Sequence, residues 1–154
     1  MEHVIFDGLS LLSAPGRVMS PRPASERVVA AAVARLGGRR ARVADVGTGS
    51  GALAVAIARA CPDVEVWATD TSRCAVLLAR ANVRAHGLED RVDLWVEPFE
   101  AVFAPGDGLE PYRRLADAAR SWLAPDGELL VQLHRRPLAV ARAELVDFGL
   151  ALAG

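Results

Sequence analysis

The feature that most constrains the fold is a short apolar run that leads directly into three closely spaced glycines. The run reads Val43-Ala44-Asp45-Val46-Gly47-Thr48-Gly49-Ser50-Gly51-Ala52 and continues as a helical segment to Ala60. A strand that turns directly into a helix collects the first N–H groups of the helix and the positive end of its dipole at one place. Glycine lets a ligand approach that backbone, because no Cβ stands in the way. The segment therefore predicts a nucleotide-sized recess.

Two kinds of ligand are compatible with this recess. The spacing from Gly47 to Ala52 satisfies Gly-x-Gly-x-x-Ala, a permitted fingerprint for dinucleotide binding. Asp45 favours another ligand, because a carboxylate at the strand end repels a pyrophosphate but suits a positive amine and a sulfonium. Asp70 follows a second apolar run, 19 residues after Gly51, where an acid is placed to accept both ribose hydroxyls. Each acid could instead cap a helix N-terminus, but their shared sheet edge favours a shared ligand.

The pattern Asp45-x-Gly47-x-Gly49-x-Gly51 resembles the first motif of the class I S-adenosylmethionine-dependent methyltransferases. This resemblance implies that S-adenosylmethionine is the cofactor, and the position of Asp70 agrees with it. We therefore expect an S-adenosylmethionine site at this edge of the predicted sheet. A dinucleotide-binding module remains the alternative, although the chain lacks a second half that would hold a nicotinamide.

Composition and charge exclude several other classes of protein. A length of 154 residues with 52% hydrophobic residues suits one domain in which helices pack on a buried parallel sheet. The net charge of −1 gives no bulk attraction to nucleic acid or to an anionic membrane. No apolar run approaches the roughly 20 residues of a membrane-spanning helix, and the first residues lack the features of a signal peptide. Two cysteines form neither a disulfide framework nor a metal site. We expect a cytoplasmic protein without a metal.

Apolar spacing and turn residues predict alternating strands and helices after an N-terminal arm. The arm, residues 1–23, contains a small hairpin or an extended segment. Two βα units and a third strand form the first half of a doubly wound sheet. We expect a shortened α/β, Rossmann-like, doubly wound and mostly parallel sheet of the class I methyltransferase type, in one domain (1–154) whose core is 24–154. The predicted elements are strands 43–46, 64–69, 91–96 and 128–133, helices 25–36 (capped by Ser25), 52–60, 73–86 (capped by Ser72) and 111–123, and an amphipathic segment 138–148.

Further motifs narrow the resemblance to one family. Pro21-Arg22-Pro23 precedes Glu26 and the glycine motif, and Gly108-Leu109-x-x-Tyr112-Arg113-Arg114 follows them. A further motif, Leu123-x-Pro125-x-Gly127, comes later in the chain. Together these motifs resemble those of the peptide chain release factor N5-glutamine methyltransferases, and they follow one another in the same order as in that family, over residues 4 to 133. The resemblance implies a protein substrate of the release factor type and methylation of a glutamine side-chain amide.

The family resemblance also implies the positions that contact the cofactor. Asp45 is expected near the amine of the methionine part, and Asp70 on the ribose. No catalytic residue and no metal ligand are assigned. The remaining expected contacts are Gly47, Thr48, Gly49, Ser50 and Gly51 for the methionine part, and Glu97 and Pro98 for the adenine edge.

The sequence also departs from the family. Members carry Asn-Pro-Pro-Tyr after a fourth strand, whereas the only asparagine here, Asn82, lies in a predicted helix. That motif holds the amide, whose nitrogen is a poor nucleophile, in position for methyl transfer. The family's N-terminal helical domain and last strands are also missing. Strand 128–133 must then lie against the first strand, or residues 100–103 must replace the absent one.

These departures support a second hypothesis, in which the chain is a catalytically impaired S-adenosylmethionine-binding remnant or a protein-interaction module. The exposed sheet edge of a shortened fold also makes a homodimer possible. Other conspicuous residues have structural interpretations. Trp67, Trp95 and Trp122 are expected in the core, and Cys61 and Cys74 as small buried residues.

Overall fold

The computed structural model describes residues 1–97 and 110–131, and the chain divides into two compact units, Met1–Pro98 and Phe99–Gly154. Within the described residues, no helix is both long enough and apolar enough to cross a membrane. The expectation of a single domain stays a prediction. The first unit contains β1 (Glu2–Phe6), β2 (Leu9–Ser13), α1 (Pro23–Leu36), β3 (Ala41–Val46), α2 (Ala52–Ala60), β4 (Val64–Asp70), α3 (Arg73–Ala85) and β5 (Val92–Val96), and the second unit contains α4 (Glu110–Trp122).

The N-terminal arm is an antiparallel hairpin of β1 and β2, which decides between the two predicted forms of this segment. Its two-residue turn, Asp7-Gly8, has φ of 50° and 74°. Positive φ at both positions gives a turn whose twist matches the strands, and Asp-Gly is a preferred sequence for it. The backbone N–H of Asp7 donates to Oε1 of Glu26 at 3.1 Å, which ties the turn to α1.

The centre of the first unit is a parallel sheet with strand order β3-β4-β5. Each strand is linked to the next by a helix, and right-handed crossovers in one direction place α2 and α3 on the same face. On β4 that face carries Val64, Val66 and Ala68, which are at most 1% exposed. These βα units confirm the predicted α/β, Rossmann-like fold with a parallel sheet.

The opposite face of the sheet carries two exposed tryptophans, so the prediction that they belong to the core is wrong. Side chains alternate between the two faces of a strand, and Trp67 therefore points away from the side that packs on α2 and α3. Trp67 is 44% exposed and Trp95 is 46% exposed, and their rings meet edge to face with centroids 5.9 Å apart. The guanidinium of Arg42 lies 5.5 Å from the Trp67 ring centroid. Trp122 of α4 is exposed as well.

Three other sequence predictions are corrected. Helix α1 begins at Pro23 with Arg22 as its N-cap, because the fixed φ of proline suits the first helical position, so Ser25 lies inside the helix. Cys74 is exposed, whereas Cys61 is buried as expected. Residues 128–131 form no strand, and among the described residues they pair with none. The other positions of these predictions, 100–103, 132–133 and 138–148, lie outside the described residues.

Candidate functional site

The candidate site lies at the carboxyl ends of β3 and β4. The two strands are parallel and in register, with Asp45 opposite Ala68 and Val46 opposite Thr69, so both chains leave the sheet at the same edge. This edge is where open α/β sheets bind their ligands. The glycine loop, residues 47–51, follows β3 there, and Asp70 ends β4 beside it.

Backbone hydrogen bonds fold the glycine loop back over the end of β4. The N–H groups of Gly47 and Thr48 both donate to the carbonyl of Thr69 at 2.9 Å. The N–H of Gly51 then donates to the carbonyl of Thr48 at 2.9 Å, immediately before α2 begins. The side chains of Thr48 and Ser50 are buried. The loop is thus a compact turn whose backbone hydrogen bonds run within the loop and to the end of β4.

The two ends of the glycine loop differ in how much space surrounds their glycines. Gly47 and Gly51 have nearly the same positive φ, 80° and 78°. A Cβ on Gly51 would lie 2.9 Å from the Cβ of Ala79 on α3, which is too close for real Cβ atoms, whereas a Cβ on Gly47 would have no atom within 4 Å. The loop therefore packs tightly on α3 at one end and is open at the other.

Asp70 joins the loop to the start of α3. Its Oδ2 accepts the N–H of Gly49 at 2.9 Å, and its Oδ1 accepts the N–H of Ser72 at 2.9 Å. A carboxylate has about four lone-pair sites, so both oxygens retain capacity to accept further hydrogen bonds. Ser72 is the N-cap of α3, as predicted, since its Oγ accepts the N–H of Ala75 at 3.3 Å. The N-cap position thus belongs to Ser72, and Asp70 contributes to the start of this helix by accepting the N–H of Ser72.

Asp45 is held differently, by a hydroxyl and a helix amide. Thr48 Oγ1 donates to its Oδ2 at 2.6 Å, and the backbone N–H of Ala54 in the first turn of α2 also donates to the carboxylate. The capping alternative is therefore partly right for Asp45, although the N-cap position belongs to Gly51. Burial raises the pKa of Asp45, these hydrogen bonds lower it, and the negative charge of Asp70 raises it, with a net increase. A positively charged ligand would offset this unfavourable electrostatic energy of the charged carboxylate.

The other predicted positions are placed only in part. The backbone N–H of Glu97 donates to the carbonyl of Asp70 at 3.0 Å, so the chain after β5 lies beside the end of β4. Pro98 lies outside the described residues. Within the part of the chain that the structure describes, no group of three or more His, Cys, Asp or Glu side chains could hold a metal ion.

Sequence reasoning missed one residue that contacts the loop. Asn82 of α3 is 1% exposed, and its side-chain amide donates to the carbonyl of Ser50 at 2.8 Å. A polar side chain on the buried face of a helix needs hydrogen-bond partners. The position of Asn82, the only asparagine of the chain, on the apolar face of its helix therefore indicated a buried hydrogen-bonded contact. What the sequence did not indicate was the identity of those partners.

A parallel α/β unit with acids at two adjacent strand ends and a glycine loop between them is the arrangement of a class I methyltransferase domain. The methyltransferase small domain family matches residues 25–104 of this chain, which is more than half of its length. The chain belongs to this family, in which S-adenosylmethionine is the cofactor.

The curated relatives agree with this family. The chain is 45% identical to a release factor glutamine methyltransferase from Gloeobacter violaceus, in a match covering 75% of this chain and 54% of that protein. It is 34% identical to a protein of the same name from Bordetella pertussis, in a match covering 86% of this chain and 63% of that protein. The chain thus spans between about half and two thirds of the length of these relatives.

A solved structure supports the fold. A ribosomal protein L11 methylase from Lactobacillus delbrueckii subsp. bulgaricus superimposes with a TM-score of 0.69 at 23% identity, over 87% of this chain and 72% of that one. At this identity the likeness establishes the fold and nothing finer.

Proposed function

We propose that this chain binds S-adenosylmethionine between Asp45, the glycine loop and Asp70, and that it acts as a methyltransferase whose acceptor is a glutamine side-chain amide of a protein. The observation that carries the proposal is the pair of interacting carboxylates at the loop. Burial and the charge of Asp70 both raise the pKa of Asp45. A cationic ligand offsets both effects, because it places an opposite charge beside the carboxylate of Asp45.

The same geometry disfavours the dinucleotide alternative. A pyrophosphate needs free N–H groups and positive potential at the start of the helix. The N–H of Gly49 in the middle of the loop is already bonded to Oδ2 of Asp70, and the carboxylate of Asp45 binds the N–H of Ala54. An anionic ligand would therefore meet two carboxylates where it needs donors.

Each of these residues is proposed to contact a different part of the cofactor. Asp45 faces the amine of the methionine part, the open Gly47 end of the loop admits that part, and Asp70 accepts the ribose hydroxyls with its remaining lone pairs. Glu97 is proposed to border the adenine, and Pro98, the other expected contact there, lies outside the described residues. When bound, S-adenosylmethionine supplies an electrophilic methyl group on a positively charged sulfur. Asp45 is partly buried, so its attraction to that charge is stronger there than it would be in bulk water.

The acceptor is proposed from the relatives. Two proteins named release factor glutamine methyltransferase match most of this chain, and we extend their acceptor, a glutamine of a release factor, to this protein. The cytoplasmic location, the possible homodimer and the lack of direct nucleic-acid binding stay predictions.

A second candidate is a protein that binds the cofactor without transferring its methyl group. It is favoured by one observation, that the sequence contains no Asn-Pro-Pro-Tyr with which to position an amide. The two candidates share the cofactor site and differ only in turnover.

The test is methyl transfer to a purified bacterial release factor, with methyl-labelled S-adenosylmethionine and the Asp70→Ala variant as the control. We expect label on a glutamine of the release factor with the wild-type chain and none with the variant. Cofactor binding without label would replace the enzyme by the second candidate. Absence of cofactor binding would contradict both.

A further inference from the structure

Asn82 makes a set of contacts that connects three separate parts of the first unit. Its Oδ1 accepts the N–H of Leu12 at 2.7 Å, and its Nδ2 donates to the carbonyl of Leu12 at 3.0 Å. The second donor of Nδ2 reaches the carbonyl of Ser50 at 2.8 Å. A helix side chain thus pairs with strand β2 in the way a neighbouring strand would, and at the same time holds the glycine loop.

Both N–H donors of the Asn82 amide are engaged in hydrogen bonds. An asparagine amide has two donors, and here one goes to the hairpin and the other to the loop. The side chain is almost completely buried, so water is not available to replace either partner. Loss of the amide would leave the carbonyl of Ser50 without this donor, in the middle of the loop that carries the proposed cofactor contacts.

Packing around Asn82 points to the same function. Ala79, one turn before it on α3, lies directly under Gly51. Val18, which follows the hairpin, packs with Leu78 of α3 in a buried cluster. A Cβ on Gly49 would come within 4.0 Å of both the Val18 side chain and the backbone carbonyl of Met19. The glycine loop therefore lies between α3 and the segment that continues from the hairpin, and Asn82 ties these elements together.

We propose that Asn82 is a positioning residue, which holds the glycine loop in its cofactor-binding conformation and couples that conformation to the N-terminal hairpin. The inference rests on the proposed function, since the loop is the proposed cofactor contact. This coupling is reciprocal. A change that stabilises the hairpin is expected to raise the affinity for the cofactor, and bound cofactor is expected to stabilise the hairpin to the same extent.

The test compares Asn82→Ala with Val83→Ala, the matched control. Val83 is the next residue on α3 and is 2% exposed, so its truncation also weakens the packing of this helix but removes no hydrogen bond to the loop. Asn82→Asp is the second variant, because it keeps the size of the side chain and the acceptor for Leu12 but loses both donors. Each protein is studied at a temperature where its circular dichroism spectrum is that of the wild type.

Two quantities are measured on each protein: hydrogen exchange of the amides in residues 47–51, and the Kd of S-adenosylmethionine by calorimetry. We expect Asn82→Ala and Asn82→Asp to exchange loop amides faster than Val83→Ala and to bind the cofactor about tenfold more weakly than that control. Loop exchange equal to that of Val83→Ala, or faster exchange with unchanged affinity, would overturn the proposal. If the wild type binds no cofactor, the proposed function fails, and the exchange data alone decide whether Asn82 holds the loop.

Discussion

The ends of β3 and β4 carry the same acid in two different settings. Asp45 is held by one hydroxyl and one helix amide, and burial raises its pKa. Asp70 accepts two backbone N–H groups, from Gly49 and Ser72, and thereby joins the glycine loop to α3. Asp70 is thus part of the framework of the site, whereas the charged form of Asp45 is disfavoured by its surroundings.

This difference indicates separate functions for the two acids. A carboxylate that organises backbone amides fixes the shape of the site and presents its remaining lone pairs in defined directions. A carboxylate whose burial is unfavourable to its charge is retained when something else requires that charge. In our account Asp70 determines where the cofactor binds, and Asp45 determines that the cofactor is a cation.

The largest effect is expected from Asp70→Ala. Two backbone N–H groups lose a charged acceptor, which we expect to lower the free energy of unfolding by about 2–4 kcal/mol. The same change removes the proposed ribose contact, and we expect cofactor affinity to fall on the order of 100-fold or more. Urea denaturation and calorimetric titration measure the two effects.

Asp93→Ala is the matched control for Asp70→Ala, since Asp93 is an exposed aspartate of β5 and its loss changes the net charge equally. Equal behaviour of the two variants would mean that Asp70 does not organise the site.

The next largest effect is the expected difference in stability between Gly51→Ala and Gly47→Ala. Both positions have φ close to 80°, so each alanine carries the left-handed penalty of about 1–2 kcal/mol. Only at residue 51 does the new Cβ meet Ala79, which adds about 1–3 kcal/mol of overpacking. Thermal denaturation should therefore show Gly51→Ala to be clearly the less stable variant, and equal stabilities would contradict the close packing of the loop on α3.

Asp45→Asn is expected to change stability and cofactor binding in opposite directions. Because burial raises the pKa of Asp45, the folded protein binds this proton more tightly than the unfolded chain does. The resulting stabilisation is complete below the ordinary aspartate pKa of about 3.9 and is lost as the pH rises through the raised value. At a pH above this raised value the uncharged variant is therefore expected to be more stable than the wild type, while it binds the cofactor about tenfold more weakly.

The matching pH dependence gives a further check on Asp45. Since a cation binds the charged carboxylate, the affinity of the wild type for S-adenosylmethionine should increase as the pH rises through the raised pKa. Asp45→Asn should lack this increase and should also lack the loss of stability over the same range. Parallel pH profiles for the two proteins would assign the titration to another group.

The local part of this site was predictable from the sequence, because each signal is carried by neighbouring residues. The strand, the glycine loop and the helix follow one another in a single run, and Asp70 ends the next strand. Ser72 was likewise recognisable as an N-cap from its position before an amphipathic segment. Given the strand order β3-β4-β5, the handedness of the connections places α2 and α3 on one face of the sheet.

The errors arose where the outcome depends on which face of an element is covered. Trp67 alternates with the buried Val66 and Ala68 along β4, so the period of two already placed it on the other face. The prediction of burial rests on the apolar character of the whole strand segment and not on this period. The contact of Asn82 with Leu12 joins residues 70 positions apart, and no local pattern reports such a pairing.

The most direct test of the account is a calorimetric titration of the wild-type protein with S-adenosylmethionine, its demethylated product and NAD, repeated with Asp70→Ala. We predict that the first two ligands bind the wild type, that S-adenosylmethionine binds more tightly as the pH rises through the pKa of Asp45, and that NAD does not bind. Binding of NAD in preference to S-adenosylmethionine, or equal binding of S-adenosylmethionine by the wild type and Asp70→Ala, would contradict the proposed site.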